Sequence, residues 1–356
     1  MPGWMNRILD RIGSPELDWV QVEVTSQCNA ACIYCPQPLF SQRQHMSFEL
    51  FKTLLPYLGY TELVYLQGWG EPLLNPDLFS MIQACKAKGK RVGFTTNGML
   101  LDNETIHRII DLGTDIISVS LAGTSPATHN RIRKGTDFDK IIENLEYMQQ
   151  IRAKKKVRHP AIHFAYLMLA SNLNELQDVV GLAKRLGADQ IVCSNLSLIL
   201  HETLRPEALF NREDEQQHFT GILDAAAAEA QRENLVFAFA NPVLKGQTTG
   251  NCSENISRSC VVSVTGEVGP CVFTSATLSQ DNGQTERHPL FHMFQDRFEP
   301  CRPLSFGNIA HESLTQIWNK KEYHQFRNLH DSFIKQRATD LRHLPQSCRR
   351  CHKREA

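Results

Sequence analysis

Three cysteines lie close together on one short stretch of the chain, VTSQCNAACIYCPQPLF. Cys28, Cys32 and Cys35 have the spacing C-x3-C-x2-C and directly follow the β-like run WVQVEV. Cysteine thiolates are soft metal ligands, and zinc sites or iron–sulfur clusters held by protein alone usually take four of them. The next cysteine along the chain is Cys85. The stretch therefore predicts a 4Fe-4S cluster with three protein ligands, whose fourth iron stays open for a substrate or cofactor.

Zinc is the alternative occupant of this loop, although zinc sites usually pair two C-x2-C knuckles. The chain has 11 cysteines, and in the cytosol clustered cysteines more often bind metal or do chemistry than form disulfides. Cys85 follows apolar residues at core spacing on a predicted helix, and Cys193 alternates with Ile191 on a predicted strand. We expect both to be buried residues without a chemical role.

The composition is that of a globular protein without a strong net charge. Hydrophobic residues make up 42% of the chain, and 38 Lys and Arg balance 38 Asp and Glu. Such a balance gives no global attraction to nucleic acid, so RNA modification is disfavoured. The basic stretch at 152–158 closes a predicted helix, where it complements the helix dipole. No run reaches the roughly 18 apolar residues of a membrane helix, and we expect a cytoplasmic protein.

Strand and helix signals alternate with short joints over the first half of the chain, which is typical of parallel βαβ units. The predicted strands span 19–24, 62–67, 91–96, 115–122, 161–169 and 189–194. Helices are predicted after the caps Ser47, Asp102 and Asp137, near 76–88, and over 173–186. The predicted fold class is α/β, a partial (β/α)6 TIM-like barrel that is open because it has six units. Its carboxyl strand edge, where the cysteine loop lies, should carry the chemistry.

The pattern changes after residue 196 to a C-terminal α+β extension. A helix is predicted over 213–232, then a hairpin in which VVSV and EVGPCVF flank Thr265-Gly266, and a surface loop at 281–289. The predicted division of the chain is an N-terminal helical segment 1–18, a core 19–196 and a second domain 197–356. The second domain holds six cysteines, namely Cys252, Cys260, Cys271, Cys301, Cys348 and Cys351.

The motifs of the core resemble, in order, those of the radical S-adenosylmethionine (SAM) superfamily. The cysteine loop, with Tyr34 before its last cysteine, is similar to the family's signature loop. WGEP (69–72) resembles its GGEP stretch, with Trp69 in place of the first glycine, and TTNG (95–98) and SVSLAG (118–123) resemble the next two strand ends. The resemblance implies that the three cysteines hold a 4Fe-4S cluster that binds SAM. Reductive cleavage of SAM then yields a 5′-deoxyadenosyl radical, which abstracts a substrate hydrogen.

The resemblance also implies which residues bind SAM. The turn at Gly70 and Glu71 would aim backbone groups at the ammonium of SAM, and Tyr34 belongs to the signature loop. Asn97 and Ser120 would meet the ribose and the carboxylate, although each could instead be a turn residue at a strand end.

The resemblance also implies that an arginine in the segment HNRIRKG (129–135) binds the carboxylate of SAM, and a planar guanidinium suits that bidentate contact. Spacing does not decide between Arg131 and Arg133. We take Arg133 as the candidate.

The C-terminal cysteines resemble the SPASM/twitch extension of radical SAM enzymes. The matching features are C-x13-G-x4-C from Cys252 to Cys271, then GNI, IW and FR, and the final C-x2-C of Cys348 and Cys351. The dense cysteine run of the fuller SPASM pattern is missing. The resemblance therefore implies one auxiliary 4Fe-4S cluster held by these four cysteines. Four thiolates would leave no iron of this cluster open to a substrate, which suits electron transfer. A zinc knuckle is the alternative.

Two cysteines of the second domain are left over. Cys260 competes with Cys252 because both precede Gly266, but only Cys252 has the spacing of the pattern. Cys301 is expected to be a buried free thiol, and a role near the substrate is the second interpretation. The 14 histidines form no metal-binding pattern.

The resemblance covers most of the chain and predicts a radical SAM enzyme of oxidoreductase type. An auxiliary cluster can accept an electron from a substrate radical, which favours oxidation or radical cross-linking over isomerisation. The expected substrate is a small metabolite or cofactor precursor, and the expected electron donor is a ferredoxin or flavodoxin. One alternative is a maturase of a ribosomal peptide, which would need a separate recognition partner. Another is a non-catalytic Fe-S electron carrier or zinc-binding module, which the size of the barrel disfavours.

Overall fold

The computed structural model describes residues 17–40, 42–239, 252–275, 279–281, 287–294, 296–336 and 340–354. Most of the segment for which an N-terminal helix is predicted, and residues 282–286 of the predicted surface loop, lie outside these ranges. None of the helices within them is long and apolar enough to cross a membrane.

Six parallel strands, in the order of the chain, form the centre of the molecule. They are β1 (Leu17–Val22), β2 (Thr61–Leu66), β3 (Arg91–Thr96), β4 (Ile116–Leu121), β5 (Ala161–Met168) and β6 (Gln190–Asn195). The helices between them are α1 (Phe48–Lys52), α2 (Leu78–Ala87), α3 (Asn103–Asp111), α4 (Pro126–Ile132), α5 (Phe138–Lys155) and α6 (Leu176–Arg185). The predicted α/β class and open partial barrel are confirmed, and β1 begins two residues before its predicted start.

The helices begin at the capping residues that the sequence indicates. The Ser47 side chain accepts a hydrogen bond from an amide of the first turn of α1, at 3.2 Å, and Asp102 does the same for α3 at 2.8 Å. Asp137 caps α5. Each cap satisfies a backbone donor that the helix leaves without a partner, so the helix start is fixed locally. The basic run ends α5 at Lys156, whose backbone is left-handed.

The two faces of the sheet carry different residues. Residues paired in register lie on the same face, and one interior row consists of Thr95, Ser118, His163, Gln190 and Val236. The next row is Ser120, Ala165, Val192 and Ala238. The opposite face is apolar and fully buried among the helices, with Val64, Phe94, Ile117 and Phe164. Val192 and Val236 are 37% and 58% exposed. The interior face of the sheet is therefore open to solvent at β6 and at the neighbouring strand of Val236.

The C-terminal extension adds strands to both edges of the sheet. Strand β7 (Val236–Ala238) pairs with β6, and β8 (Ser259–Val262) pairs in parallel with β1. Strand β9 (Val268–Gly269) returns antiparallel to β8, which confirms the predicted hairpin around Gly266. The result is a nine-stranded sheet in the order β7-β6-β5-β4-β3-β2-β1-β8-β9. Because strands of both predicted domains share this sheet, the boundary at 196/197 stays a prediction.

Short elements complete the described chain. Two hairpins consist of β10 (Ser279–Asp281) with β11 (Arg287–Pro289), and β12 (Phe291–Phe294) with β13 (Arg297–Pro300). The remaining α-helices are α7 (Gln216–Arg232), α8 (Leu314–Trp318) and α9 (Lys321–Lys335). The 3-10 turns are Gln37–Leu39, Leu55–Tyr60, Pro72–Leu74, Leu173–Glu175, Glu202–Glu207, Leu209–Asn211, Glu213–Glu215, Val272–Thr274, Leu341–His343, Gln346–Cys348 and His352–Arg354.

An aromatic cluster packs the C-terminal helices together. Phe306 stacks on Tyr323 with ring centroids 4.0 Å apart, and Trp318 meets Tyr323 edge-on at 5.1 Å. The guanidinium of Arg327 lies 3.8 Å from the Trp318 ring centroid and donates to the Trp318 carbonyl. Trp318 of the IW pair and Arg327 of the FR pair therefore meet in one buried contact. This packing explains why an aromatic ring and a guanidinium occur at these positions.

Glu23, just beyond the end of β1, joins the extension to the core. Its carboxylate accepts hydrogen bonds from the amides of Trp69, at 3.0 Å, and Val264, at 3.2 Å. Glu23 is 1% exposed. A Cβ on Gly68 would lie 2.2 Å from the Glu23 side chain, so only glycine leaves room for it. One buried carboxylate thus holds segments from both halves of the chain.

Replacing Glu23 by Gln should weaken this junction. The new amide group cannot accept on its nitrogen, so a buried backbone donor loses its partner, at a cost of about 1–3 kcal/mol. We expect the apo chain to unfold at a lower urea concentration, measured by circular dichroism. Glu62→Gln, at an exposed position of β2, is the matched control and should leave the midpoint unchanged. Equal midpoints for E23Q and the parent chain would contradict the assigned role.

Candidate active site and metal centres

The first three cysteines lie on a loop beyond the carboxyl end of β1, at the active edge of the barrel. Backbone hydrogen bonds join this loop to the segment after α4, from the Ala31 amide to the Lys134 carbonyl at 2.7 Å and from the Ile33 amide to the Ile132 carbonyl at 3.0 Å. All three cysteines are partly buried residues. The loop is therefore held in place by a neighbouring segment of the chain.

The thiols of Cys28, Cys32 and Cys35 lie close enough to affect each other's charge. Burial raises the pKa of Cys28, and burial followed by the charge of Cys32 raises the pKa of Cys35 to about 12. The Ala30 amide donates to the Cys28 sulfur at 3.4 Å. Among the described residues no three His, Cys, Asp or Glu side chains converge on a single metal ion. In a 4Fe-4S cluster each thiolate binds a different iron, so that convergence is not required.

Arg133, and not Arg131, faces the cysteine loop. Arg131 is exposed, whereas Arg133 is 8% exposed and donates to the Tyr34 hydroxyl. Burial lowers the pKa of Arg133, but the nearby thiols and the Tyr34 phenol raise it more, so the group stays charged. Its Nε–H is buried without a hydrogen-bond partner in the protein. A buried cation with an open donor, beside three thiols, fits an anionic group such as a cluster or a carboxylate.

Gly70 packs directly on the backbone of the cysteine loop. A Cβ there would lie 2.3 Å from the Thr25 carbonyl oxygen and 2.5 Å from that of Gln27. The Glu71 amide donates to the same Gln27 oxygen at 2.8 Å, so this turn fixes the start of the loop. Trp69 does not have a positive φ, and the turn therefore accepts a side chain where the family motif has glycine.

The Glu71 carboxylate is used within the protein. It accepts hydrogen bonds from the Asn97 amide at 2.7 Å, the Thr96 hydroxyl at 2.8 Å and the Leu73 amide at 3.2 Å. Burial raises the pKa of Glu71, although these donors favour its ionised form. The carboxylate thus positions the end of β3, and the predicted approach to SAM is left to the backbone of this turn.

Asn97 and Ser120 both lie at the carboxyl edge of the barrel, where the sequence places them. Asn97 Nδ2 donates to Asn29 Oδ1 of the cysteine loop at 2.7 Å and is 4.0 Å from the Cys28 sulfur. Asn97 Oδ1 accepts from the Met99 amide. Ser120 is half-buried in an interior row of β4. Their contacts with SAM stay predictions.

A hydrogen-bond network in the barrel interior is missing from the sequence-based prediction. The Tyr65 hydroxyl donates to Ser118 Oγ at 2.7 Å and lies 3.1 Å from Thr95 Oγ1, which donates to Gln67 at 2.9 Å. Burial raises the pKa of Tyr65, against the effect of the two hydroxyls. The sequence feature that could have predicted this network is the occurrence of polar residues at alternate positions of otherwise apolar strands. They give the barrel a polar interior.

The four cysteines predicted to hold the auxiliary cluster line one cavity of about 160 Å³. Burial raises the pKa of Cys271 well above its usual value, and Cys252, Cys348 and Cys351 are among the charged neighbours that raise it further. The structure therefore brings the four thiols together from segments up to 99 residues apart in the sequence, 252 to 351. Cys301 lines the same cavity.

Contacts around His352 fix the C-terminal pair of cysteines. His352 Nε2 is 2.8 Å from the Met293 carbonyl oxygen, and its ring stacks on Phe210 with centroids 4.6 Å apart. The next residue, Lys353, forms a partly buried ion pair with Glu254 at 3.0 Å. These contacts hold Cys351 against the segment that follows Cys252.

Three residues that line the cavity beside the cysteines have a buried polar atom without a partner. His292 Nδ1, His330 Nδ1 and Ser347 Oγ are buried without hydrogen-bond partners. Such atoms are rare in folded proteins and call for a partner that the protein does not supply. A sulfide-rich group among the thiols fits this surface.

The other cysteines are core residues. Cys260, on β8, is fully buried, lies near Arg327 and Tyr323, and is not among the residues that line the cavity. This favours Cys252 over Cys260 at the predicted cluster. Cys85 and Cys193 are buried in the main hydrophobic core, as the sequence predicts.

A small apolar cluster connects the two cysteine centres. Trp69, from the turn beside the cysteine loop, meets Phe273 edge-on with ring centroids 5.8 Å apart. Phe273 and Leu198 line the auxiliary cavity. We call this group the bridging cluster, and it consists of Phe40, Leu198, Leu290 and Cys301, with Trp69, Leu200 and Phe273 packed against it.

Comparison with known families agrees with this arrangement. The family model of the Radical SAM superfamily matches residues 22–183, and that of SPASM, an iron–sulfur cluster-binding domain, matches residues 252–352. The chain carries a radical SAM domain followed by a SPASM domain. The predicted family resemblance and C-terminal extension are confirmed, and the domains imply a 4Fe-4S cluster, SAM and auxiliary iron–sulfur binding. The two domains support an enzyme.

Related proteins cover nearly all of the chain. It is 23% identical to the tungsten-containing aldehyde ferredoxin oxidoreductase cofactor-modifying protein of Pyrococcus furiosus, over 91% of this chain and 87% of that protein. It is 23% identical to the PqqA peptide cyclase of Gluconobacter oxydans, over 94% and 82%. The structure of Streptococcus suis SuiB bound to SAM matches with a TM-score of 0.66 and 14% identity, over 90% and 71%. The last likeness supports the fold.

Replacing Arg133 by Lys should weaken SAM binding. Lysine keeps the charge but loses the planar bidentate group, and we expect affinity to fall about tenfold, or roughly 1.4 kcal/mol. The measurement is a SAM titration of the electron paramagnetic resonance signal of the reduced cluster, at unchanged iron content. Arg131→Lys, on the exposed neighbour, should leave the titration unaltered. Identical curves for R133K and R131K would count against Arg133.

Replacing Gly70 by Ala should displace the cysteine loop. The methyl group overlaps two backbone carbonyls that cannot move independently, so the loop can no longer pack against this turn. We expect the reconstituted chain to lose about half of its iron, since one of two 4Fe-4S clusters would be affected. Gly181→Ala is the control, because no atom lies within 4 Å of a Cβ there. Full iron content in G70A would contradict this prediction.

Proposed function

We propose that the chain is a radical SAM enzyme that cleaves SAM reductively and abstracts a hydrogen atom from its substrate. Cys28, Cys32 and Cys35 would hold the cluster that binds SAM. The main support is Arg133, a buried cation with an unpartnered Nε–H beside three thiols at the carboxyl edge of the barrel. Reductive cleavage of SAM at that cluster supplies a 5′-deoxyadenosyl radical, which is the chemistry of the bound group.

The residues around the loop would then bind and orient SAM. Arg133 would hold its carboxylate, with Tyr34 fixing the guanidinium by its hydroxyl. The backbone at Gly70 and Glu71 would meet the ammonium group. Asn97 would face the ribose, because its side chain already reaches the cysteine loop. Ser120 would contribute from the interior row of β4.

The four cysteines of the second cavity would hold one auxiliary 4Fe-4S cluster. Their common cavity and their mutual effect on charge support this assignment of Cys252, Cys271, Cys348 and Cys351. Four thiolates would leave each iron ligated by protein, and such a cluster carries electrons rather than binding substrate. It would accept an electron from the substrate radical, so the net reaction would be an oxidation or a cross-link. A ferredoxin or flavodoxin would donate the electron that starts the cycle.

The proposed substrate is a small metabolite or cofactor precursor. The hydroxyls of Tyr65, Thr95 and Ser118 give the barrel interior groups that could bind a polar substrate, and Val192 and Val236 on the same face are exposed to solvent. The relative from Pyrococcus furiosus, described as cofactor-modifying, supports this class. A ribosomal peptide is the second candidate, and the PqqA peptide cyclase supports it.

Reduced, reconstituted protein should cleave SAM to 5′-deoxyadenosine and methionine, measured by liquid chromatography. Cys32→Ala should abolish this cleavage, because two thiolates cannot hold the cluster in its place. Cys85→Ala, at a core position away from both centres, is the control and should retain cleavage. An absence of 5′-deoxyadenosine from fully loaded protein would refute the proposal.

The fate of SAM tests the oxidation step separately. In a net oxidation, SAM is consumed with each product formed. Recovery of intact SAM after many turnovers would show that SAM is recycled, and would contradict oxidation while leaving radical chemistry in place.

A further inference from the structure

The auxiliary cavity contains one thiol more than a 4Fe-4S cluster needs. Cys301 lines it together with the four cysteines assigned to the cluster. Four irons take four terminal ligands. One of the five thiols is therefore left over, and the surroundings of Cys301 indicate which of the other four it lies beside.

Cys301 is fixed on the wall of the cavity next to Cys351. It follows the end of β13, is 6% exposed, and its amide donates to the Leu290 carbonyl at 2.6 Å. The Arg350 guanidinium, one residue before Cys351, forms an ion pair with the Glu299 carboxylate, two residues before Cys301. This contact brings the segments of Cys301 and Cys351 together on one side of the cavity that both residues line.

Two buried histidines are an independent sign that this cavity receives a ligand-rich group. His292 and His330 are 7% and 6% exposed and both line the cavity, and Nδ1 of each is buried without a hydrogen-bond partner in the protein. The Asp331 carboxylate is 3.9 Å from His330 Nδ1, which is too long for a hydrogen bond. The two histidines thus belong to the same cavity wall as the five cysteines.

We propose that Cys301 is an alternative ligand for the iron that Cys351 holds. This inference rests on the proposed auxiliary cluster. Cys301 would hold that iron as a thiolate in place of Cys351. The thiol proton of Cys301 would pass to the released Cys351 sulfur, so that one iron–sulfur bond replaces another and no electron is transferred.

The exchange moves the protein ligand from the C-terminal segment to the bridging cluster. Cys301 packs there with Phe40 and Leu198, and Trp69 lies against the same group. Ligation by Cys301 would therefore bring one iron next to the bridging cluster, which extends to the turn beside the cysteine loop.

Iron content in a background without the first cluster tests the exchange. In that background Cys28, Cys32 and Cys35 are replaced by Ala, so the remaining iron, about four atoms for one 4Fe-4S cluster, reports on the auxiliary site. Cys351→Ser and Cys301→Ser should each retain this iron and a 4Fe-4S electron paramagnetic resonance signal after reduction. The double variant C351S/C301S should lose most of both.

The matched control is C351S/C260S, since Cys260 is equally buried but does not line the cavity. It should retain the iron of C351S, and circular dichroism should show the same fold for both double variants. Loss of the iron in C351S alone, or its retention in C351S/C301S, would overturn the inference. A background variant that binds no iron would instead overturn the auxiliary cluster itself, and the inference with it.

Discussion

The backbone contact between the cysteine loop and the turn at Gly70 is the constraint on which the site depends. Three partly buried cysteines on a loop can share one cluster only if the loop keeps its shape. Gly70 packs against the Thr25 and Gln27 carbonyl groups at the start of the loop. The segment after α4 forms backbone hydrogen bonds with the loop from another side. The loop is thus clamped by two neighbouring segments, one of which delivers Arg133 to the same sulfur atoms.

The same turn also links the two cysteine centres. Gly70 touches the loop, while the adjacent Trp69 reaches Phe273 at the auxiliary cavity. The Trp69 amide is held by Glu23, whose other hydrogen bond goes to Val264 of the extension. A buried carboxylate is expensive to leave without donors. Relative motion of the extension and the core would therefore break contacts at both centres, so their spacing is set by the fold.

Local features could be predicted from the sequence, and long-range ones could not. The caps at Ser47 and Asp102, the six strands and the Cys28–Cys35 loop follow from spacings within a few residues. The choice between Arg131 and Arg133 depends on how a seven-residue helix ends against the loop, which spacing does not record. The place of Cys301 depends on a cavity that it lines together with Cys351, fifty positions away, and no local sequence pattern predicts it.

The role of Glu71 shows a different limit of the sequence. Its motif position implies that backbone groups of its turn approach SAM, and the structure adds that its carboxylate accepts hydrogen bonds from Thr96 of β3, from the following Asn97 and from Leu73 of its own turn. A motif records that a residue type is needed at a position, and not whether it touches the ligand or holds the residues that do.

In this barrel the residues that stabilise the fold and the residues available for binding lie on opposite faces of the sheet. A closed barrel fills its interior with branched apolar side chains that stabilise it. Here the apolar side chains lie outside the sheet against the helices, and the interior carries Tyr65, Thr95 and Ser118. Burying hydroxyls without partners would cost free energy, which their mutual hydrogen bonds offset. Stability therefore comes from the outer layer, and that leaves the interior free to be a binding surface rather than a core.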